Sequence, residues 1–212
     1  MISYIYLFDR FIFLVIEGES MAVPFSKSKR DEIAEKLKEG ARIFASQKGM
    51  KKTSVDSLVE YAGISKGAFY NFYGSKDELF LEVVEDWHTD IYGMALDCIL
   101  EKNGQPNANR AAKAVYEACR MMAENGIMRF IKNDLPQLLD SINGSELMER
   151  YHGDDIHIKE VIKYSGISLL ITDDEAVDII KNLAFCVLNS GTDSFWHAYK
   201  IIVNSVCKYI VK

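Results

Sequence analysis

The chain has 212 residues, of which 49% are hydrophobic and 26% charged, and it contains only three prolines. This length allows one compact domain or a small domain joined to a larger one, and we favour the second arrangement. The formal net charge of −6, taken alone, argues against a nucleic-acid partner. The four cysteines, at positions 98, 119, 186 and 207, are far apart and form no CxxC pair. Their spacing argues against a disulfide framework and favours reduced core thiols in a cytoplasmic protein.

The first element is the most hydrophobic part of the chain, residues 1–20, MISYIYLFDRFIFLVIEGES. Asp9 and Arg10 divide it into two short apolar runs, whereas a membrane-spanning helix needs about 20 mostly apolar residues. It also lacks the basic start and cleavage site of a signal peptide. The Glu-Gly-Glu before Met21 can be encoded by a purine-rich sequence typical of a ribosome-binding site. We therefore interpret residues 1–20 as a mis-assigned extension, with a genuine extra helix as the alternative.

Apolar residues recur at three- and four-residue spacing along the rest of the chain, which predicts an all-α fold. Gly49 and Gly63 are typical stop signals for the first two helices. Ser65 and Ser75 are typical N-caps for the third and fourth. The polar region 144–155 is expected to be a loop. The predicted helices span residues 28–47, 55–62, 66 to about 71, 76 to about 100, 109–124, 127–132, 135–142, 156–164, 173–188 and 193–211.

Charge is unevenly distributed along these elements. Residues 21–76 hold eleven Lys and Arg against six Asp and Glu, a net charge of +5. Residues 86–212 hold thirteen basic and eighteen acidic residues, a net charge of −5. The protein is therefore predicted to have a basic head, which suits nucleic acid, on an acidic body.

Two short helices joined by the tight turn Gly63-Ile64, and braced by a preceding helix, are typical of a helix-turn-helix. The segment TSVDSLVEYAGISKGAFYNFYGSKDELF, residues 53–80, resembles the DNA-binding signature of the TetR family of bacterial transcriptional regulators. The resemblance implies a three-helix DNA-binding domain over residues 21–75. It also implies a helical ligand-binding and dimerisation domain over residues 76–212.

The residues of this signature predict individual contacts with DNA. Residues 65–67 begin the third helix, where backbone N–H groups favour phosphate, and outward side chains of that helix can reach base edges. Its tyrosines combine a packing ring with a hydroxyl for phosphate, whereas Phe69 and Phe72 are expected in the core. Lys76 is expected to contact the backbone of the same groove. The predicted DNA-binding residues are Thr53, Ser65, Lys66, Gly67, Ala68, Tyr70, Asn71, Tyr73 and Lys76.

The last two predicted helices are strongly apolar and resemble the pair that forms the dimer interface in the family. A homodimer of helix-turn-helix domains addresses two half-sites about 34–36 Å apart on a palindromic operator. The alternative is that both helices serve the core of a single subunit. The predicted interface residues are Leu183, Val187, Phe195, Ala198, Ile202 and Tyr209.

The middle helices are rich in Met and aromatic residues of the kind that line pockets. The resemblance implies that a small molecule binds there and moves the fourth helix, and an ordinary core is the alternative. The predicted pocket residues are Trp87, Tyr92, Met94, Tyr116, Cys119, Met122, Met128 and Phe130.

The sequence as a whole predicts a cytoplasmic, ligand-responsive repressor whose partners are double-stranded DNA, a second copy and an unidentified small-molecule effector. The alternatives are an all-helical enzyme and a membrane-tethered regulator. An enzyme is not expected, since we find no nucleophile–base pair or phosphate loop, and no cofactor or membrane partner is predicted. His152 and His157 match no familiar metal-ligand spacing, so we interpret their segment as a surface loop and predict no metal.

Overall fold

The computed structural model describes residues 27–101, 104–141, 153–189 and 192–212, and in these ranges the chain is all-α, as predicted. A short 3₁₀ turn, Val187–Asn189, follows the ninth helix. The helices are α1 (Lys27–Lys48), α2 (Val55–Ala62), α3 (Lys66–Phe69), α4 (Lys76–Leu100), α5 (Asn107–Glu124), α6 (Ile127–Asn133), α7 (Leu135–Ser141), α8 (Gly153–Ser165), α9 (Asp173–Cys186) and α10 (Asp193–Ile210).

Two sequence-based expectations fall partly or wholly beyond these ranges. Residues 1–20 and His152 lie outside the described residues, as does most of the predicted loop 144–155, whose last residues belong to α8. Among the helices of the described part, none is long and apolar enough to cross a membrane.

Side-chain caps set where the helices begin. Ser54, Ser65 and Ser75 precede α2, α3 and α4, and each Oγ accepts a hydrogen bond from a backbone N–H three residues later at 3.1 Å. Thr172 and Thr192 cap α9 and α10 in the same way, at 3.2 and 3.1 Å. Each cap satisfies a backbone donor that has no partner within its own helix. The predicted starts of α3 and α4 are confirmed.

Helix α3 is shorter than the sequence predicts. The N–H groups of Asn71 and Phe72 bond to the carbonyls of Ala68 and Phe69, three residues back, at 3.0 and 2.9 Å. This tighter pattern is a turn rather than a continued α-helix. The recognition segment is therefore a single helical turn followed by a turn over residues 70–72.

One apolar cluster packs α1, the helix-turn-helix and the start of α4 together, and it extends to α6 and α7. Phe69 is the anchor of α3, with none of its surface exposed, and burial of such a ring stabilises by about 1.5–3 kcal/mol. Because this ring faces inward, the rest of α3 faces outward. The fully buried members of the cluster are Leu37, Ala41, Leu58, Phe69, Leu79, Phe80, Val83 and Leu138.

Ion pairs join α4 to α1. The Lys38 ammonium is almost fully buried and lies 2.7 Å from Glu35, 3.1 Å from Asp86 and 3.5 Å from Glu82. Burial acts to lower the pKa of Lys38, but the hydrogen bonds to Glu35 and Asp86 outweigh it and the pKa is raised. Arg42 adds a bond to Asp86 at 2.6 Å. This network ties the first half of α4 to the DNA-binding domain.

The body is built on α4, α5 and α10, with α8 and α9 closing one side. Tyr199 is a fully buried centre of this second core. Its hydroxyl donates to the Leu183 carbonyl at 3.1 Å and lies 3.0 Å from the Cys119 sulfur. Burial raises the pKa of Cys119 to about 11, so this thiol stays protonated near neutral pH.

The four cysteines are free thiols, but they are not all in the core. Cys119 and Cys207 are buried as predicted, whereas Cys98 is half-buried and Cys186 is exposed. The prediction of a core thiol is therefore wrong for Cys186, which ends α9 on its solvent side.

Candidate functional site

The turn between α2 and α3 has the geometry of a tight helix stop. Gly63 adopts φ 71° and ψ 36°, which is the left-handed conformation. The Ile64 N–H bonds to the Val59 carbonyl at 3.0 Å and the Gly63 N–H bonds to the Glu60 carbonyl at 3.3 Å. This pair of bonds closes α2 with glycine at the position that demands positive φ. The chain then turns directly into the Ser65 cap of α3.

Six of the predicted DNA-binding residues lie together on the outer side of the segment that contains α3, which we call the α3 ridge. Tyr70 is 52% exposed, and Ala68 is the half-buried member. The Tyr70 ring meets Phe69 edge-on, with 5.4 Å between the ring centroids, so the buried anchor orients the exposed ring. The α3 ridge consists of Ser65, Lys66, Gly67, Ala68, Tyr70 and Asn71.

An ion pair orients Lys66 at the start of the ridge. Its ammonium lies 3.0 and 3.2 Å from the two carboxylate oxygens of Asp56 in the first turn of α2. The hydrogen bond to Asp56 raises the pKa of Lys66 above its usual value. The lysine is therefore held in place while its positive charge is partly balanced.

Two predicted contact residues are buried instead. Thr53 is 1% exposed, and its hydroxyl donates to the Gly49 carbonyl at 2.9 Å. Tyr73 is 8% exposed, because its N–H bonds to the Phe69 carbonyl at 3.0 Å and its ring turns inward beside Phe69. Burial and a hydrogen bond to Glu82 raise the pKa of Tyr73. Neither side chain is placed to contact phosphate, so both predictions are corrected.

Lys76 is also placed differently from the prediction. Its ammonium is half-buried and donates to the carbonyls of Met50 at 2.9 Å and Thr53 at 3.0 Å. These bonds join the start of α4 to the loop between α1 and α2. Lys76 therefore braces the helix-turn-helix from within rather than presenting its charge to DNA.

Arg30 contacts the ridge and was missed as a site residue, as were two exposed lysines in the loop before α2. Arg30 of α1 donates from its guanidinium to the Asn71 carbonyl at 3.2 Å and lies 5.1 Å from the centre of the Phe72 ring. Lys51 and Lys52 are exposed in the loop before α2. The uneven distribution of charge was the signal that could have found them, because all three belong to the basic segment 21–76.

The body contains a cavity of about 380 Å³ between α4, α5, α8, α9 and α10. Six of the eight predicted pocket residues line it, whereas Met94 and Tyr116 do not. Tyr116 instead packs against Trp196 and Tyr199, with centroid distances of 5.8 and 6.2 Å. The six lining residues are Trp87, Tyr92, Cys119, Met122, Met128 and Phe130.

The predicted dimer residues divide into an exposed and a buried group. Ile202 and Tyr209 of α10 are 51% and 79% exposed, and Ala198, one turn before Ile202, is also exposed. Leu183 and Val187 are 7% and 1% exposed within one subunit. Because they already pack in the second core, Leu183 and Val187 are corrected to core residues. Phe195 is half-buried and stacks on Tyr199, with 5.7 Å between the ring centroids.

One contact links the body to the DNA-binding loop independently of α4. Asp134 at the junction of α6 and α7 is buried, and its carboxylate accepts the Lys51 N–H at 3.4 Å. A side chain at Gly49, where φ is +84°, would lie only 3.2 Å from this carboxylate. Leu135, the next residue, lines the cavity. The same junction thus contacts both the cavity wall and the loop that carries Lys51.

The exposed ridge and its tight turn define a helix-turn-helix DNA-binding domain. Residues 37–83 match the family described as bacterial regulatory proteins, tetR family. This match covers α2, α3 and their turn, and the relatives below extend over most of the chain. Residues 37–83 thus belong to a DNA-binding domain of the TetR family of bacterial regulatory proteins, and the resemblance seen in the sequence is confirmed.

Similarity to known proteins extends beyond this domain along the chain. The uncharacterized HTH-type transcriptional regulator YdgC of Bacillus subtilis (strain 168) is 28% identical, over 79% of this chain and 98% of its own. FadR of Bacillus subtilis, solved in complex with stearoyl-CoA, has a TM-score of 0.56 at 16% identity, covering 82% of this chain and 95% of FadR. A TetR family regulator from Marinobacter aquaeolei VT8 has a TM-score of 0.55 at 16% identity, covering 88% of this chain and 100% of that one. Both structures show the shared fold.

Proposed function

We propose that this protein is a ligand-responsive repressor that binds a palindromic operator as a homodimer in the cytoplasm. The α3 ridge is the observation that carries the proposal. It presents Lys66 on an exposed helical turn anchored by the buried Phe69, and Asn71 in the exposed turn that follows. Asn suits the edge of adenine and Lys the edge of guanine in the major groove. Arg30, Lys51 and Lys52 add positive charge where phosphates flank that groove.

The homodimer is supported by an apolar face on α10. Ile202 and Tyr209 are seven residues apart, so they lie on one side of the helix with Ala198. Phe185, near the end of α9, is a further large apolar side chain that is 58% exposed. Exposed large apolar side chains in such a set are typical of protein interfaces. A second copy bound to this face would give a dimer that carries two α3 ridges, one on each subunit.

Ligand response is supported by the cavity and by its walls. The cavity of about 380 Å³ is within the size range of small-molecule sites. Its walls include α4, which continues into the DNA-binding domain, and Leu135, which follows the Asp134 link to Lys51. FadR, which shares the fold, was solved with stearoyl-CoA. A ligand that favours one arrangement of these walls shifts DNA affinity by its differential binding, typically 1–3 kcal/mol.

Selection of DNA from a random duplex pool by the full-length protein tests the proposal. We expect enriched sequences with two inverted half-sites, and a mobility-shift titration in which the purified operator outcompetes scrambled DNA by at least about 10³-fold. Equal affinity for all sequences would contradict the repressor function. Enrichment of single, unpaired half-sites would contradict the homodimer.

A matched pair of variants separates base recognition from sequence-independent attraction to phosphate. Asn71→Ala is expected to change which bases are enriched at one position of each half-site, because it removes a side chain from the ridge. Lys52→Ala is expected to weaken binding to all sequences equally, because phosphate contacts carry no base information. The opposite pattern would mean that the ridge does not enter the major groove.

A further inference from the structure

Asn71 is the last residue of the α3 ridge, and it lies beyond the helix itself. Helix α3 ends at Phe69, and Asn71 belongs to the turn over residues 70–72. Within this turn the Asn71 N–H donates to the Ala68 carbonyl at 3.0 Å. Hydrogen bonds between residues three apart have poorer geometry than those of an α-helix. Local backbone bonds therefore hold Asn71 less firmly than they would hold a residue inside a longer helix.

Arg30 of α1 restrains the same turn from a distant part of the sequence. Its guanidinium donates to the Asn71 carbonyl at 3.2 Å, across a separation of 41 residues. The same guanidinium lies 5.1 Å from the centre of the Phe72 ring, which is close enough for a favourable cation–π contact. A single planar group thus contacts successive residues of the turn.

The helix that carries Arg30 is itself anchored in the core. Ile33 and Leu37, about one and two turns after Arg30, are 2% and 0% exposed in the apolar cluster. Arg30 therefore extends from a fixed backbone, and its bond to Asn71 fixes the turn relative to α1. Because that bond is made to the main chain, it sets the position from which the Asn71 side chain extends.

This position matters for base recognition. An asparagine amide recognises adenine by bidentate hydrogen bonds to the base edge in the major groove. A side chain with such a task has to be held within about 0.5 Å of its productive position. A turn that shifted relative to α1 would exceed this tolerance. The placement of the Asn71 main chain therefore contributes to which base the ridge prefers.

We propose that Arg30 is a positioning residue for base recognition, which holds the turn after α3 so that Asn71 meets a base edge in a defined orientation. A guanidinium has several N–H donors, so the bond to Asn71 still allows Arg30 to approach phosphate. This inference rests on the proposed sequence-specific binding of DNA by the α3 ridge. It adds to that function a residue of α1 that determines sequence preference through Asn71.

Discrimination between two operators tests the proposal in the full-length protein. The measured quantity, the discrimination ratio, is the Kd for the selected operator changed at the base pair where Asn71→Ala loses its preference, divided by the Kd for the unchanged operator. Arg30→Met is expected to lower this ratio about threefold to tenfold, part of the discrimination that a bidentate contact gives. A merely structural role would weaken both operators alike. An unchanged ratio in Arg30→Met would therefore overturn the proposal.

Two further variants separate position from charge. Arg30→Lys keeps the positive charge but lacks the planar guanidinium, so it is expected to keep the salt slope of binding and to lose discrimination. Lys27→Met removes a charge from the exposed start of α1 and should leave the discrimination ratio unchanged. A full ratio in Arg30→Lys would assign the effect to charge and contradict the proposal. So would an Arg30→Met protein that binds both operators equally less tightly, with a salt slope reduced by about 0.9, because Arg30 would then be a phosphate contact.

A double variant tests whether Arg30 acts through Asn71. Asn71→Ala leaves the bond from Arg30 in place, because that bond is made to the main chain. In the Asn71→Ala protein, Arg30→Met is therefore expected to change the discrimination ratio by less than about twofold, since the effects of coupled residues are not additive. An equal reduction with and without the Asn71 side chain would show that Arg30 acts independently of it, and the proposal would fail.

Amide hydrogen exchange in the free protein distinguishes this proposal from the proposed function. Arg30→Met is expected to speed exchange of the Asn71 and Phe72 amides about threefold to tenfold, the effect of losing one hydrogen bond. The Ile64 amide, in the turn after α2, should exchange at an unchanged rate. Unchanged exchange at Asn71 and Phe72 would overturn the proposal even where operator binding is specific. If the unmodified protein binds all DNA sequences equally, the proposed function fails, and faster exchange would still show that Arg30 holds the turn.

Discussion

Asp56 limits how strongly Lys66 can attract DNA. The carboxylate holds the ammonium at 3.0 Å and is itself exposed next to the surface that would meet phosphates. This pair orients the lysine, but it also adds a negative charge to the interface. The ion pair that orients Lys66 therefore also weakens the attraction of Lys66 to DNA phosphate.

Substitution of Asp56 should make this balance measurable. Asp56→Asn is expected to tighten operator binding about threefold to tenfold. It should also steepen the slope of log affinity against log salt concentration by up to about 0.9, the value for one additional phosphate contact. Titrations at several salt concentrations give both values. Glu60→Gln, which removes an acid from the other end of α2, serves as the control and should have the smaller effect. Weaker binding by Asp56→Asn would show that orientation of Lys66 matters more than its free charge.

Lys76 and Lys52 have the same side chain but different surroundings. Lys76→Met removes hydrogen bonds to two carbonyls and is expected to lower the free energy of unfolding by about 2 kcal/mol, with little change in the salt slope of DNA binding. Lys52→Met is expected to leave stability within about 0.5 kcal/mol and to reduce the slope by about 0.9. Urea unfolding measures the stability of both variants, and DNA-binding titrations at several salt concentrations measure their salt slopes. A smaller salt slope of DNA binding in Lys76→Met would show instead that Lys76 contacts phosphate.

At the scale of elements, local chemistry predicted most helix boundaries. Ser54, Ser65 and Ser75 act within three residues of their own position, so the sequence contains the whole signal. The partners of Lys76 lie 23 and 26 residues away. Tyr73 is buried through the short turn after Phe69, which depends on packing against α4. Side-chain roles set by such tertiary contacts could not be predicted from spacing.

The turn between α2 and α3 gives a stability prediction with a built-in control. Gly63→Ala places a side chain at φ +71° and is expected to lower the free energy of unfolding by about 1–2 kcal/mol. Gly93→Ala lies within α4 and is expected to raise it by about 0.5–1 kcal/mol. Neither site has an atom within 4 Å of the new carbon, so backbone conformation alone separates them. Equal effects in denaturant unfolding would contradict the assigned turn.

At the scale of the whole molecule, several contacts join the cavity walls to the DNA-binding head, including the bond from Arg129 to the Ala45 carbonyl, and two of them bear on the surroundings of α3. One is α4, which lines the cavity and is tied to α1 through Asp86. The other is the junction of α6 and α7, where Asp134 meets the loop of Lys51. A ligand that displaces either wall would therefore act on the surroundings of α3.

The proposed dimer is a property of the whole molecule and has a direct test. Ile202→Glu puts a charge at the centre of the apolar face of α10 and is expected to convert the particle to a 24.1 kDa subunit in light scattering. It should also weaken binding to a two-half-site operator at least 100-fold. Ile156→Glu is the matched control, because Ile156 is similarly exposed on α8. A dimeric Ile202→Glu protein would exclude this face as the interface.

Charge is uneven along the chain, +5 over residues 21–76 against −5 over residues 86–212, with four acids and no basic residue in residues 77–85 between them. A nearby duplex is therefore expected to attract the basic segment and repel the acidic one, which favours approach with the helix-turn-helix foremost. Most diffusive collisions then begin in a productive orientation, and added salt should slow the capture of DNA far more than it shortens the lifetime of the complex.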